Sequence, residues 1–261
     1  MNGDNPKDFD KEGFSWYYIP MSGGLLNSLL DIIYPRVCLV CKTRLDKGHI
    51  DNLICKKCWV SIDKNLPPFC HSCGRRLEKR NFSKNICPAC IRTNSHFDRA
   101  FSPCIYDGAL KELIHAFKYK GKDHLGKALS SLMIEFIKEY NLPIKYMDFI
   151  VPMPLHKSKL RERDFNQAEI LSRYIAEEFN KGILKNNLIR HRFTKTQTEL
   201  RNEERLLNVR GSFSVADPDR VREKNLLLVD DVLTTGATAS EAALALKQAG
   251  ANIVFVITLA N

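Results

Sequence analysis

Apolar side chains recur every three or four positions in two stretches of the chain, residues 110–117 and 125–136. This spacing places them on one face of a helix, with polar side chains on the other face. The apolar positions are Leu110, Leu113, Ile114 and Phe117, followed by Leu125, Leu129, Leu132, Met133 and Phe136. Further helices are predicted near residues 166–180 and 237–249.

Continuous apolar runs at residues 149–151, 226–229 and 253–259 alternate with these helical segments. Such runs are typical of strands buried on both faces, and their alternation with helices indicates a largely parallel sheet. We therefore predict a parallel-sheet α/β domain over residues 97–261. Ligands of such a sheet bind at the carboxyl ends of its strands.

The segment before this domain, residues 36–96, carries eight of the nine cysteines as four C-x-x-C pairs. Adding 32 to each position of the first two pairs gives the last two, so the segment is a duplicated unit. Thirteen residues separate the two pairs of each unit, enough for a hairpin that brings four sulfurs around one Zn²⁺. The predicted ligands of two structural zinc ions are Cys38, Cys41, Cys55 and Cys58 in one repeat, and Cys70, Cys73, Cys87 and Cys90 in the other.

Other chemistries compete for these cysteines. The N-terminus is acidic where a secretory signal would be basic, which favours a cytoplasmic protein, and in that compartment closely spaced cysteines more often hold metal than form disulfides. A thioredoxin-like redox pair and an iron–sulfur cluster are weaker alternatives, because no pair opens a helix after a strand and the spacing is not compact. A cross-braced arrangement, in which the two repeats share their ligands, remains open.

Composition places the chain among globular proteins. With 44% hydrophobic and 27% charged residues, it excludes collagenous, mostly disordered and membrane-embedded classes. The predicted organisation is a disordered extension at 1–24, a short amphipathic helix at 25–35, a double zinc ribbon at 36–96 and the α/β domain at 97–261. Cys104 lies in an apolar run and is predicted to be a buried core residue.

Positive charge is concentrated in the cysteine-rich segment. The whole chain carries +10, and residues 36–100 carry +9 of it, which two zinc–tetrathiolate sites would lower to about +5. A basic patch here is a candidate surface for nucleic acid, although most charge runs are only solvated. Its members are Arg75, Arg76, Lys79, Arg80 and Lys84.

The most specific motif runs from Leu226 to Thr238. A buried strand ends in Asp230 and Asp231, which are positioned to accept hydrogen bonds from a pair of ribose hydroxyls. A short loop then opens a helix, and its backbone N–H groups and hydroxyls can surround a phosphate at the positive helix end. The loop residues are Thr234, Thr235, Gly236, Ala237 and Thr238.

An acidic pair after a strand is also found in ATPases. Residues 121–128 nearly spell the phosphate-binding pattern G-x-x-x-x-G-K-[ST]. The match fails because Ala128 replaces the hydroxyl that would bind Mg²⁺, and because residues 110–120 are predicted to be helix rather than strand.

The motif at 226–238 resembles the phosphoribosyl-pyrophosphate (PRPP) motif of type I phosphoribosyltransferases, and the chain as a whole resembles the ComF family, which includes GntX-like proteins. Asp164 departs from the family, which more often has glycine there. Besides the double zinc ribbon, the resembling stretches are Phe117-Lys-Tyr-Lys-Gly121, Val151-Pro-Met-Pro with Arg161-Glu-Arg-Asp-Phe-Asn-Gln167, and Arg192-Phe-Thr-Lys-Thr-Gln-Thr198 with Arg205-Leu-Leu-Asn-Val-Arg-Gly-Ser-Phe213.

This resemblance implies a ligand assignment. Asp230 and Asp231 would hold the ribose hydroxyls, and residues 234–238 would hold the 5′-phosphate. The loop around 152–165, with Arg161 and Arg163, would hold the pyrophosphate with Mg²⁺. Residues 192–208 would close over the reacting centre. No general base and no acceptor substrate are identified.

The resemblance also implies a role in DNA uptake during natural transformation, alongside other competence proteins such as a DNA-uptake helicase, without membrane insertion. Single-stranded DNA would be attracted by the basic ribbons and stack on Trp59, Phe69 or Phe82. The alternatives are an active phosphoribosyltransferase of nucleotide or nucleobase metabolism and a non-catalytic regulator that senses PRPP.

Overall fold

The computed structural model describes residues 36–45, 50–77, 85–119, 123–191 and 209–261. The predicted extension at 1–24, the predicted helix at 25–35 and the predicted closing loop at 192–208 lie outside these ranges. Among the described residues, no helix is both long and apolar enough to cross a bilayer.

Five parallel strands form the main sheet, and two further strands form a separate antiparallel pair. The strands are β1 Arg99–Phe101, β2 Phe149–Pro152, β3 Gly182–Ile183, β4 Leu188–Arg190, β5 Phe213–Val215, β6 Asn225–Val232 and β7 Ile253–Ala260. The order across the main sheet is β1-β7-β6-β2-β3, while β4 pairs with β5. The predicted parallel sheet is confirmed, with β6 near its centre.

Helices cover both faces of this sheet. The α-helices of the described residues are α1 Lys56–Val60, α2 Pro88–Arg92, α3 Gly108–Phe117, α4 Leu125–Glu139, α5 Lys157–Arg163, α6 Gln167–Phe179 and α7 Ala237–Gln248. Of these, α1 and α2 belong to the cysteine-rich segment. Successive residues of β6 point to opposite faces, as the strand geometry requires. Leu227 and Val229 join the apolar cluster formed with α3 and α4, whereas Leu226 and Leu228 join the cluster formed with α7.

The helix α4 settles the interpretation of the segment at 121–128. Gly126 lies inside this helix, and a Cβ there would stand 2.3 Å from the Ile170 side chain of α6. The glycine therefore permits close packing of two helices, and the element before the segment is the helix α3 rather than the strand that a phosphate-binding loop would follow.

The two zinc ribbons repeat each other's backbone hydrogen bonds at the 32-residue offset. The Cys38 N–H donates to the Thr43 carbonyl at 2.8 Å, and the Cys70 N–H donates to the Arg75 carbonyl at 2.8 Å. Both second pairs begin a short helix, since Cys55 precedes α1 and Cys87 precedes α2. The predicted duplication is thus present in three dimensions.

One position distinguishes the second ribbon from the first. Gly74 has φ +71° and Lys42, its counterpart, has φ +61°, so both adopt the left-handed conformation. Only Gly74 is pressed against the α/β domain, where a Cβ would stand 2.4 Å from the Ala100 carbonyl oxygen of β1. The Ala100 N–H donates to the Ser72 carbonyl at 2.7 Å, so this turn docks directly on the sheet edge.

Gly74→Ala is therefore expected to destabilise the protein by more than the roughly 1–2 kcal/mol that a left-handed side chain costs, because the methyl group also collides with backbone. Thermal unfolding at fixed zinc concentration measures the effect. Lys42→Ala is the matched control, since it changes the equivalent turn without a docking surface. Equal melting temperatures for the two variants would contradict the docking role.

Candidate functional site

The eight paired cysteines form two tetrads, one within each repeat. In both tetrads the four sulfurs lie within 4.8 Å of one another. The Cys41–Cys55 and Cys73–Cys87 sulfur separations are both 3.7 Å, close to the edge of about 3.8 Å expected for four thiolates around zinc. The tetrads therefore fit two structural zinc ions, in the within-repeat pairing rather than the cross-braced one.

Backbone donors support the same sulfurs. The Cys55 N–H donates to Cys38 Sγ at 3.4 Å, and the Cys87 N–H donates to Cys70 Sγ at 3.3 Å. Burial raises the pKa of the Cys58 thiol to about 12, while hydrogen bonds with Thr43 lower the pKa of Cys41 to about 6. All four thiols of a tetrad thus ionise together only when a dication compensates their charge.

Protein purified without added metal is expected to contain about two zinc equivalents per chain, because each repeat holds a complete ligand set. Metal analysis by mass spectrometry checks this number. Cys104→Ser should leave it unchanged, since Cys104 is fully buried away from both tetrads, as the sequence predicted. Folded protein without zinc under reducing conditions would contradict the assignment.

The two consecutive carboxylates lie near the carboxyl end of β6. Asp231 forms an ion pair with Lys118, with Oδ2 and Nζ 2.7 Å apart, and both side chains are largely buried. The Asp230 carboxylate accepts a hydrogen bond of 2.8 Å from the Asp231 N–H. Burial, reinforced by the charge of Asp231, raises the pKa of Asp230 to about 7.

A second cation faces this pair from the separate strand pair. Arg190 ends β4, and its guanidinium lies over the Phe213 ring at 5.4 Å. Burial lowers the pKa of Arg190, and the opposite charge of Asp230 partly offsets that effect. The site thus has Lys118 beside one carboxylate and Arg190 near the other.

The loop after β6 enters α7 through Gly236, which precedes the helix with φ +78°. This left-handed conformation favours glycine, and it turns the chain so that the helix begins at Ala237. The Ala237 N–H donates to Thr235 Oγ1 at 3.4 Å. The order of strand, carboxylates, loop and helix agrees with the prediction for residues 226–238.

Arg75 of the second zinc ribbon contacts this loop. Its Nη2 donates to the Thr234 carbonyl at 3.3 Å, and the His96 N–H donates to Ser240 Oγ of α7 at 3.0 Å. The second ribbon is therefore part of the surroundings of the loop.

The segment expected to be a loop at 152–165 contains the helix α5. Asp164 ends this helix with φ +65°, a conformation that favours the glycine found there in the resembled family. Arg163 Nη1 donates to Gln167 Oε1 at 2.9 Å, and Gln167 Nε2 donates to the Phe117 carbonyl at 3.3 Å. Arg163 is thereby linked to the residue next to Lys118, whereas Arg161 is exposed on α5 and has no such link among the described residues.

Three interacting side chains were not assigned to this site from the sequence. In the sequence, Lys118 lies in a stretch that resembles the ComF family and Arg75 lies in the basic patch, so both residues stood out for other reasons. No feature of the sequence pointed to Arg190. Of the basic patch, Lys79, Arg80 and Lys84 lie outside the described residues.

Of the predicted stacking residues, Phe69 packs edge-on against Phe136 and Tyr140 at ring distances of 5.7 and 5.2 Å. Its ring is therefore partly buried against the core, and its stacking on DNA stays a prediction. Trp59 is also packed against the core cluster. Phe82 lies outside the described residues.

Known proteins resemble this chain both in the cysteine-rich segment and over most of its length. A family model described as a double zinc ribbon domain matches residues 29–91. Competence protein F of Haemophilus influenzae is 28% identical over 86% of this chain and 96% of that protein. Competence protein ComFC of Bacillus subtilis is 26% identical over 84% of this chain and 91% of that protein.

The chain is a homologue of the ComF competence proteins. The DNA utilization protein YhgH of Escherichia coli K12 is 28% identical over 85% of this chain and 95% of that protein. Among solved structures, a glutamine PRPP amidotransferase from B. subtilis, solved with ADP and GMP, is 21% identical with a TM-score of 0.32. That match covers 55% of this chain and only 26% of the other one.

Proposed function

We propose that this ComF homologue binds PRPP at the carboxyl end of β6 and takes part in DNA uptake, with single-stranded DNA as its nucleic-acid partner. The observation that carries the PRPP assignment is the carboxylate pair at the end of a buried strand, followed at once by the Gly236 turn into α7. Carboxylates suit the ribose hydroxyls, and the start of a twelve-residue helix suits the 5′-phosphate.

The cationic side chains Arg163 and Lys118 suit a ligand that carries a pyrophosphate in addition to its 5′-phosphate. Arg163 is held by Gln167 near the Lys118 end of the site, where a pyrophosphate group would need cations. Mg²⁺ would accompany the pyrophosphate and neutralise part of its charge. Lys118 would exchange its partner Asp231 for the ligand when PRPP binds.

Calorimetric titration with Mg²⁺-PRPP at pH 6 and pH 8 tests this assignment. Asp230 has a raised pKa of about 7, so its carboxylate is mostly protonated at pH 6 and mostly charged at pH 8. Affinity is expected to rise about tenfold over this interval, because only the charged form accepts hydrogen bonds from both hydroxyls at full strength. Asp230→Asn removes the titrating group. The affinity of this variant is therefore expected to change with pH only as far as PRPP itself titrates.

The DNA assignment is supported by the excess charge of residues 36–100 and by the homology to competence proteins. Binding of labelled oligodeoxythymidylate at several salt concentrations tests it. Replacing Arg75, Arg76, Lys79 and Arg80 by Gln is expected to reduce the slope of log K against log salt by roughly 0.7 for each phosphate that the protein no longer neutralises. An unchanged slope would leave this patch as solvated surface.

An active phosphoribosyltransferase is the second candidate, favoured by the same carboxylate pair. Pyrophosphate release from Mg²⁺-PRPP in the presence of individual nucleobases distinguishes it. Turnover with one nucleobase supports the enzyme, whereas binding without release supports PRPP sensing.

A further inference from the structure

A cavity of about 540 Å³ lies between the second zinc ribbon and the loop that follows β6. The ribbon contributes Arg75 and Arg92 to its lining, and the α/β domain contributes residues 233–237 and Ser240. Its volume falls within the roughly 300–1,000 Å³ typical of small-molecule sites. The cavity therefore has room for a small ligand beside the proposed 5′-phosphate loop.

The two guanidinium groups of this lining are available to an anion. Among the described residues, neither Arg75 nor Arg92 forms an ion pair with a carboxylate. Each is instead oriented by a backbone carbonyl, because Arg75 donates to Thr234 and Arg92 Nε donates to Pro88, both at 3.3 Å. A guanidinium has five N–H donors, so donors remain on each side chain for a phosphate.

The rest of the lining also limits the class of ligand. No acidic side chain lines the cavity, although Cys73 and Cys90 do and their zinc site carries negative charge. An anion in this lining is therefore held by direct hydrogen bonds from the two guanidinium groups, since the start of α7 is assigned to the 5′-phosphate. Phe97 and Leu233 supply apolar surface, and hydroxyl and amide groups lie between, which suits a planar base with polar edges.

We propose that this cavity binds one nucleotide unit of single-stranded DNA, with its phosphate on Arg75 and Arg92 and its base against the apolar wall. The inference rests on the proposed DNA-binding function and places one contact of the strand. A free nucleotide carries a phosphate of the same kind, so the experiment compares the DNA strand with a free nucleotide.

The position of the cavity predicts coupling between DNA and PRPP. Asp230 and Asp231 are not among its lining residues, all of which belong to the described ranges, so the ribose carboxylates lie outside it. The loop at 233–237 borders the cavity and is also the proposed 5′-phosphate loop. The proposal places the phosphate of the strand on the two guanidinium groups and leaves the loop N–H groups to PRPP, so both ligands are expected to bind together, and each changes the affinity of the other by the same factor.

The experiment measures binding of labelled oligodeoxythymidylate, deoxythymidine monophosphate and inorganic phosphate to the full chain, with and without saturating Mg²⁺-PRPP. Arg92→Gln is expected to weaken oligonucleotide binding about tenfold or more, the size of one charge-assisted hydrogen bond. Arg220→Gln is the matched control, because it removes the same charge from an exposed position before the opposite end of β6. That control is expected to bind within about twofold of the parent.

The outcomes separate this inference from the function on which it rests. A ternary complex whose oligonucleotide affinity depends on Arg92 supports the cavity, and weaker binding of the monophosphate than of the strand identifies DNA as the source. Equal effects of Arg92→Gln and Arg220→Gln overturn the cavity while leaving DNA binding intact. Mutual exclusion of PRPP and the strand also overturns it, because the cavity would then be part of the PRPP site. No oligonucleotide binding by the parent protein overturns the DNA function and the cavity together.

Discussion

Replacing both Asp230 and Asp231 by asparagine is expected to weaken Mg²⁺-PRPP binding by about a hundredfold or more. Each charge-assisted hydrogen bond to a ribose hydroxyl contributes roughly 1.5–3 kcal/mol, so two losses account for this factor. Asparagine keeps the size of the side chain but lacks its charge, and Lys118 also loses its ion-pair partner. Calorimetry under one set of pH and salt conditions measures the change.

The control for this pair is the double variant Asp219→Asn with Glu223→Gln. Both residues are exposed and precede β6. Their substitution therefore removes the same amount of negative charge, but at the opposite end of the strand. The control should bind PRPP like the parent, and all variants should retain their zinc. Parental affinity in the Asp230/Asp231 variant would show that the ribose assignment is wrong.

Loss of the second zinc site is expected to weaken PRPP binding about tenfold, whereas loss of the first is expected to have little effect. The second ribbon holds the proposed phosphate loop through Arg75 and also packs against β1 at Gly74. Without its metal the ribbon would no longer orient these groups, and ordering them on binding costs about 0.5–1.5 kcal/mol for each mobile side chain. The affinity loss follows from that cost.

The duplication supplies a matched pair of variants for this experiment. Cys73→Ser and Cys41→Ser replace corresponding ligands of the two tetrads, and each should lower the zinc content by about one equivalent. Circular dichroism checks that the sheet remains folded before PRPP affinity is compared. Equal affinities in the two variants would contradict a specific role for the second ribbon.

Features that depend on short stretches of the chain were predictable from the sequence. The eight cysteines and their division into two repeats follow from the 32-residue offset, whereas only the structure decided that each tetrad lies within one repeat rather than across both. The buried faces of α3 and α4 follow from apolar spacing, and the central position of β6 agrees with its uninterrupted apolar run. The junction of carboxylates, loop and helix is likewise contained in thirteen consecutive residues.

The surroundings of that junction were decided by tertiary packing. Arg75 reaches Thr234 across 159 positions of sequence, and Lys118 reaches Asp231 only because the end of α3 lies over the end of β6. Phe69, one of three candidates for stacking on DNA, has its ring packed edge-on against Phe136 of α4, a contact that no local pattern indicates. Spacing along the chain carries no information about which charged side chains meet across two elements, since the same basic residue can be solvated or paired.

The sequence by itself thus determined the metal ligands, the strand and helix faces, and the order of groups around the carboxylate pair, because each depends on neighbours within a few turns of chain. Only the tertiary structure decided that the second ribbon, and not its duplicate, borders the loop after β6. The physical reason is steric: Gly74 has no Cβ and can approach the Ala100 carbonyl, whereas Lys42 carries its side chain at the same turn. That contact places Arg75 and Arg92 around the cavity.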